Sequence, residues 1–491
     1  MTTRTPVPIP TGWTSSPDIY ADFSRVLDPL GLDVADTGGQ VTFTGEDPIL
    51  PSKHRLGAIM AMGMMAPAVG TQILYRMMGG PAQDLSVDLR DAVTQIFPQT
   101  YFAPTVAGYP YFKSMFENPL GIAVYPLEGD RWYMPTAIYP KMVTDWLGLL
   151  RCELTKSSVE QALSTWDMDE LDAEVARRGM IGAPVMTAEQ WYSHPQGSYL
   201  ANVPMIDIIK IGDSDPELPA LPQSDRPLSG LKVLSVTHVI AGPITARTLA
   251  EQGAQCLDLY GPGFEERPGA ILDCRTGLRT SWADLKRAEY RGRALDLLRS
   301  ADVFIENFRG RKIANFGLSA EEAADRRPGI IYTSLRGFGW DGPWFDRGAF
   351  DPDANACTGY MCLEGTPHAP KLPPTVVLND YLAGYLTAAG VLAALKMRAE
   401  HGGSYHVRTS LSRFSMWYSR LGLFDNNYML DTIKNPDHQA NPVRTFEFRG
   451  GYGKQVHLQP GITYSKTPSR WEIPGGGPIV APIGYWEPQW L

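Results

Sequence analysis

Asp380 stands directly before the apolar run YLAGYLTAAGVLAALKMR, whose spacing predicts a long helix. An aspartate there reads as a helix N-cap. A helix start in an open α/β sheet also faces the strand-end crevice where ligands bind, so the same carboxylate is a candidate for chemistry on a ligand. Asp351, in GAFDPDANA, is a second candidate carboxylate, although Asp-Pro is equally a turn opener. The turn Ala241-Gly242-Pro243, inside THVIAGP, joins a predicted strand to a predicted helix; small residues there admit a ligand close to the backbone at the positive end of a helix. It is not a GxGxxG fingerprint, and a plain helix start reads the same way; His238 beside it reads as a structural histidine or a contact. Arg275, Arg279, Arg309, Arg311 and Lys312 gather around the turns before and after one strand, which suits a phosphate-bearing ligand and suits a solvated surface equally.

The elements that must position these residues follow a strand-then-helix rhythm. LKVLSVT (231–237), QCLDLY (255–260), DVFIEN (302–307) and GIIYTSL (329–335) read as strands, separated by helix-compatible segments. Such alternation predicts an α/β fold: a nucleotide-binding-type parallel sheet with helices on both faces and right-handed crossovers. The proline-rich stretch 213–230 reads as a linker or surface tether dividing the chain. A loop-rich region from Arg336 to Thr375 precedes Asp380, and 426–491, rich in Gly, Pro, Trp and Tyr, reads as an irregular wrap over a surface or a partner subunit.

With 491 residues, 44% of them hydrophobic, the chain can bury at least two cores. A net charge of -9 with dispersed basic residues argues against nucleic acid as a partner. The opening MTTRTPVPIPTGW lacks the apolar stretch of a secretory signal, and the five irregularly spaced cysteines suit reduced thiols, so a cytoplasmic location is expected. Leu56 to Tyr75 is apolar enough to raise a membrane helix, but its methionine, glycine and proline content reads as a buried core helix, and no membrane partner is expected. Cys357 and Cys362 lack a second Cys/His pair, so no metal is assigned.

A degenerate internal echo links the halves. GTQILYRMMGGPAQDLSVDL (70–89) resembles GVLAALKMRAEHGGSYHVRTSL (390–411), each an apolar helix, a glycine turn and a strand. Between Asp47 and Asp84 no Asp or Glu occurs, so one copy alone carries a carboxylate at the place of Asp380.

LSGLKVLSVTHVIAGP, ADVFIENFRG, IYTSLRGFGWDGP, GAFD and LNDYLAGYLTAAGVLAALKMR resemble, in order, successive blocks of the class III CoA-transferases, a family that includes formyl-CoA transferases and α-methylacyl-CoA racemases. The resemblance implies a rearranged two-copy organisation: 1–95 a degenerate repeat of the core's second half, 96–212 a smaller α+β domain, 213–230 the linker, 231–425 the nucleotide-fold core and 426–491 the wrap. It implies an interlocked ring-like homodimer, and coenzyme A as a substrate rather than a permanent cofactor, exchanged between an acyl-CoA and a carboxylic acid. Asp380 is then the nucleophile that forms a mixed anhydride and an aspartyl-CoA thioester. The resemblance assigns coenzyme A contacts to His238, Val239, Ile240, Ala241, Arg279, Asn307, Arg309 and Arg311, and leaves Asp351 as a second carboxylate.

Departures bear on the reading. Phe350 occupies the place of the racemases' catalytic histidine, which favours transfer over racemisation. Gly261 and Asn315 replace two arginines that contact CoA phosphates in the family, and Leu278 a lysine; Arg311 or Lys312 is the expected substitute. Gly475-Gly476-Gly477 is the candidate for the family's glycine-rich flap. An acyl-CoA isomerase or racemase, and a catalytically retired binding subunit, are the alternative readings.

Overall fold

The computed structural model describes residues 18–98, 118–220, 225–262, 266 and 268–491, with the backbone alone of 105–106 and 109–110. The opening stretch read for a signal and residues 221–224 of the linker lie outside the described residues.

The first unit runs β1 (Val41–Thr44), α1 (Leu56–Met77) and β2 (Leu85–Asp88), with β1 and β2 parallel, Val41 opposite Leu85. Residues 118–203 follow with their own core, in which Tyr133, Trp146, Leu163 and Leu171 are fully enclosed.

The main sheet is built from β3 (Asp207–Gly212), β4 (Lys232–Val236), β5 (Gln255–Tyr260), β6 (Arg279–Trp282), β7 (Val303–Glu306), β8 (Ile331–Arg336) and β9 (Ser404–Ser410). Its order is β6-β5-β4-β7-β8-β9-β3, parallel except that β3 pairs antiparallel with β9. Side chains alternate between two cores. Val233, Ile305 and Val407 face α2 (Ala241–Ala250) and α4 (Asn379–His401), whereas Leu234, Phe304 and Tyr332 face the helices Ala288–Leu298 and Ala320–Arg326. Both faces are therefore covered, which is why the strands read as nearly continuous apolar runs. Between β7 and α4 lies α3 (Asp351–Cys357).

The unit β8–α4–β9 repeats the order of β1–α1–β2, and α1 packs along α4. Small residues set the spacing: a Cβ on Gly63 would stand 2.4 Å from Leu382 Cδ1, and one on Gly70 2.9 Å from Leu392 Cβ. The helix α1 is long and apolar enough to cross a membrane, and here its residues Leu56–Leu74 are buried within the protein.

Two segments differ from expectation. The linker is pinned rather than free: Arg398 Nε donates to the Glu217 carbonyl (3.1 Å), and Arg327 pairs with the Glu217 carboxylate (2.6 Å). The carboxy-terminal region is not irregular throughout, since β10 (Thr445–Gly450) and β11 (Gly453–Leu458) form an antiparallel hairpin and Thr463–Tyr464 pairs with β2. Its last turns cover the edge of the main sheet, where Trp486 N–H donates to the Thr280 carbonyl (3.1 Å).

Candidate active site

Strands β4 and β7 are neighbours, but the chain leaves them toward opposite ends of the sheet, so a crevice opens at their carboxyl ends. The turn after β4 is locked to the turn after β7: Asn307 Oδ1 accepts from the His238 N–H (3.0 Å) and Asn307 Nδ2 donates to the His238 carbonyl (2.8 Å). Val239 follows at φ 62, a left-handed conformation that a β-branched residue rarely adopts and that costs about 1–3 kcal/mol. Glu266 holds it there, accepting from the Val239 N–H (2.9 Å). The same carboxylate accepts from Tyr139 Oη (3.0 Å) and pairs with Arg275 (3.3 Å), which ties the turn to the smaller unit.

With these N–H groups engaged, the next three, on Ile240, Ala241 and Gly242, meet no acceptor among the described residues. They form the open positive end of α2. Helix α4 reaches this end because residue 384 is glycine: a Cβ there would lie 2.4 Å from Ile244 Cγ2 and 3.0 Å from the Ala241 carbonyl oxygen.

Asp380 lies one turn before Gly384. The N-cap expectation is corrected: α4 begins at Asn379, its N-cap is Leu378, and Asp380 is already inside the first turn without a capping bond. Capping falls to Asp351, whose Oδ2 accepts from the Leu378 N–H (3.0 Å) and the Asp380 N–H (2.8 Å), while Oδ1 accepts from Asn355 Nδ2 (2.8 Å). Asp351 is 1% exposed and stands behind Asp380 rather than on the cavity wall.

The two carboxylates are therefore unequal. Asp380 is 6% exposed, and among the described residues nothing donates to its carboxylate. Burial first, then the neighbouring Asp351 and Asp353, holds its carboxyl well above the usual range. Burial also raises Asp351, but backbone N–H groups of Leu378, Asn379 and Asp380 pull it back, so the pair's first negative charge rests on Asp351.

A cavity of about 420 Å³ brings Asp380 together with the turn His238–Ala241, Asn307, Arg309 and Phe350. His238 is stacked on Phe308, and burial lowers its basicity. Arg309 donates to the Gly179 carbonyl (3.1 Å). Two expected contacts are not at this cavity. Arg279 is 2% exposed beneath the Trp486 ring, 5.2 Å from its centroid, because the carboxy-terminal turns cover β6. Arg311 lines a neighbouring cavity with Trp340 and Glu306. Arg275 is interior, paired with Asp258 (3.1 Å). The Gly475–Gly477 turn packs near Trp486 and Leu491 and does not wall the cavity.

Sequence reasoning missed Tyr139, Arg336 and Arg347, all on the cavity wall. Arg347 pairs with Asp172 (2.9 Å) and donates to the Gly182 carbonyl (3.0 Å), joining the smaller unit to the core. Arg336 closes β8 at the same sheet edge as the crevice, a position that could have marked it. Among the described residues no group of His, Cys, Asp and Glu could hold a metal ion.

Residues 228–453 match the sequence model of CoA-transferase family III. An acetyl-coenzyme A transferase of Hypoxylon pulicicidum is 31% identical over 300 residues, covering 58% of this chain and 51% of that protein. A succinate–glutarate CoA-transferase of Agrobacterium fabrum is 31% identical over 209 residues, 39% of this chain and 52% of its own. A formyl-CoA:oxalate CoA-transferase of Streptomyces avermitilis is 28% identical over 284 residues, 54% of this chain and 66% of its own. A CAIB/BAIF family protein from Brucella suis aligns in structure at a TM-score of 0.37 with 28% identity, over 47% of this chain and 65% of that one. The chain thus spans about half the length of the first curated relatives it matches. Residues 228–453, which hold the crevice, Asp351 and Asp380, are the part of the chain that resembles CoA-transferase family III.

Proposed function

We propose that this protein transfers coenzyme A between an acyl-CoA thioester and a carboxylic acid, with Asp380 as the covalent carrier. The observation that carries the proposal is an enclosed carboxylate that has no donor among the described residues, beside three N–H groups at the start of α2 that likewise meet no acceptor among them. A carboxylate held above its ordinary pKa is a strong nucleophile once ionised, and unmet N–H groups suit an oxygen that becomes negative.

In the proposed sequence the Asp380 carboxylate attacks the thioester carbonyl, the carbon–sulfur bond breaks, and CoA thiolate leaves behind a mixed anhydride. The thiolate then attacks the Asp380 carbonyl, expelling the first acid and forming an aspartyl-CoA thioester. The acceptor carboxylate attacks that thioester, and the released thiolate takes the new acyl group, restoring Asp380. The N–H groups of Ile240 and Ala241 are the oxyanion donors of this scheme, Asn307 and Glu266 fix the turn that presents them, and Asp351 fixes the start of the helix that carries Asp380. Phe350 offers no proton acceptor, so the proton-transfer reading lacks its second base at that place. The proposal includes the cytosolic homodimer expected from the family's assemblies.

The test is incubation with acetyl-CoA and succinyl-CoA, quenching with hydroxylamine, and mass spectrometry of the peptide containing residue 380. A hydroxamate at Asp380, absent from Asp380→Asn, is the expected result. A folded protein that binds CoA yet yields no label with any thioester refutes the nucleophile and favours the retired binding subunit.

A further inference from the structure

One short segment of the smaller unit touches both halves of the site. Thr136 to Tyr139 leave the strand Trp132–Pro135 and lead into the helix Pro140–Leu150. The segment is held from its own side: the Ala137 N–H donates to the Leu120 carbonyl (2.8 Å), and Asn118 Nδ2 donates to the Ala137 carbonyl (2.8 Å). Its two ends reach different carboxylates of the core. Thr136, fully buried, donates to Asp353 Oδ1 (2.7 Å), and Asp353 Oδ2 accepts from the Phe350 N–H (2.8 Å), which fixes the start of α3 next to Asp351. Tyr139 donates to Glu266 Oε1 (3.0 Å), and Glu266 Oε2 accepts from the Val239 N–H (2.9 Å).

The Tyr139 arm bears on the strained part of the site. Val239 stands at φ 62, so it needs an external hold to stay there. Glu266 is that hold, and its side chain is 1% exposed. Three donors gather at Oε2: the Val239 N–H, Tyr260 Oη (3.3 Å) and Arg275 (3.3 Å). A carboxylate held at one oxygen turns about it, so the bond from Tyr139 to Oε1 sets the orientation in which Oε2 faces Val239. Burial, then the Glu266 charge, holds the Tyr139 phenol well above its ordinary pKa, so it stays a donor. Other ties keep the unit docked without Tyr139: Arg347 to Asp172 (2.9 Å) and the Gly182 carbonyl (3.0 Å), and Arg309 to the Gly179 carbonyl (3.1 Å).

We propose that Tyr139 is a positioning residue: through Glu266 it holds the Val239 turn in the form that presents the Ile240 and Ala241 N–H groups, so the site is complete only while the smaller unit is docked on the core. The inference rests on the function proposed above and adds the control of its oxyanion donors by the smaller unit.

Tyr139→Phe keeps a ring beside Phe350, at 6.4 Å between centroids in the native protein, and removes the bond to Glu266. Val239→Gly is its counterpart, because glycine adopts a positive φ without an external hold. Three quantities are measured for the native protein, both variants and the double variant: the single-turnover rate of hydroxamate formation at Asp380 from acetyl-CoA, the affinity for CoA by calorimetry, and hydrogen exchange of the amides of residues 237–242. Y139F should label roughly tenfold to a hundredfold more slowly, the loss expected of a hydrogen bond to a charged group, with CoA affinity within about twofold of native. Exchange at 237–242 should quicken by about the same factor. Adding V239G to Y139F should bring the labelling rate within about threefold of V239G alone, a rescue that a general loss of packing would not show. Slow labelling that V239G leaves uncorrected overturns the inference. The two readings fail separately. A native protein labelled at Asp380 and matched by Y139F in both label and exchange overturns this inference alone, whereas exchange that depends on Tyr139 without a label in any of the proteins overturns the nucleophile alone.

Discussion

Replacing Asp380 by asparagine should make the protein more stable at pH 8 and by a smaller margin at pH 5. The carboxylate is 6% exposed, lacks a donor among the described residues, and lies beside Asp351 and Asp353. Its folded pKa is raised, so the folded state keeps a proton that the unfolded chain releases above about pH 4. The native protein therefore loses stability as pH climbs from that point toward the folded pKa, at about 1.36 kcal/mol per pH unit for a single site. Asparagine has the same shape and no ionisation to suppress, so the gap between variant and native opens with rising pH. Relief of a strained functional site typically returns about 0.5–2 kcal/mol. In a chain of 491 residues that amounts to a rise in melting temperature of about 1–4 °C. Thermal melts of both proteins at pH 5, 6.5 and 8, with CoA transfer measured alongside, are the assay. An Asp380→Asn protein that melts at or below the native temperature at pH 8, or a gap that does not widen with pH, would show that Asp380 is a satisfied structural carboxylate.

Two further substitutions test the parts that hold Asp380. Asp351→Asn removes a like charge behind the nucleophile, so the acid limb of the pH profile of kcat/KM should move to lower pH; because an amide cannot accept from both helix N–H groups and Asn355 as the carboxylate does, stability should also fall by about 1–3 kcal/mol. Movement of that limb to higher pH would contradict the electrostatic assignment. Gly384→Ala places a methyl 2.4 Å from Ile244 Cγ2, forcing α4 away from the start of α2. Activity should drop by about 100-fold with an overpacking cost of about 1–3 kcal/mol, read by steady-state kinetics and chemical denaturation, and unchanged kcat would show that the close approach does not position the nucleophile.

The strands β4, β5, β7 and β8 were legible within one or two residues because a sheet covered on both faces imposes long apolar runs. The edge strands β3 and β6 were not: β6 reads RTSW, half polar, and its outer neighbour is a carboxy-terminal turn whose Gly, Pro and Trp content conceals any period. Asp380 could be found from its place before a helix, but its freedom from capping could not, because the capping carboxylate lies 29 residues earlier in the chain. Burial of Arg279 depends on Trp486, more than 200 positions away, and a local pattern carries no trace of such a contact. Arg336 illustrates the converse. A basic residue at the end of a strand reads as a surface group until the stacking on Trp340 and the enclosed Nε, which meets no acceptor among the described residues, are seen.

The two β–α–β units explain why the proposed nucleophile has no counterpart in the first unit. At the start of α1, Asp47 accepts from the Gly57 N–H (3.0 Å) and the Ala58 N–H (2.7 Å), as Asp351 does at the start of α4. In each case the carboxylate belongs to an Asp-Pro pair, Asp47-Pro48 and Asp351-Pro352. What differs is the first turn of the capped helix. A Cβ on Gly57 would stand 2.7 Å from Asp47 Oδ1, so the first unit keeps the cap and has no room for a second carboxylate beside it. Helix α1 then serves α4 directly, its Gly63 and Gly70 receiving Leu382 and Leu392. Leu382 is two residues from Asp380, so substitutions that widen the α1–α4 contact should be felt at Asp380 before they are felt in the fold.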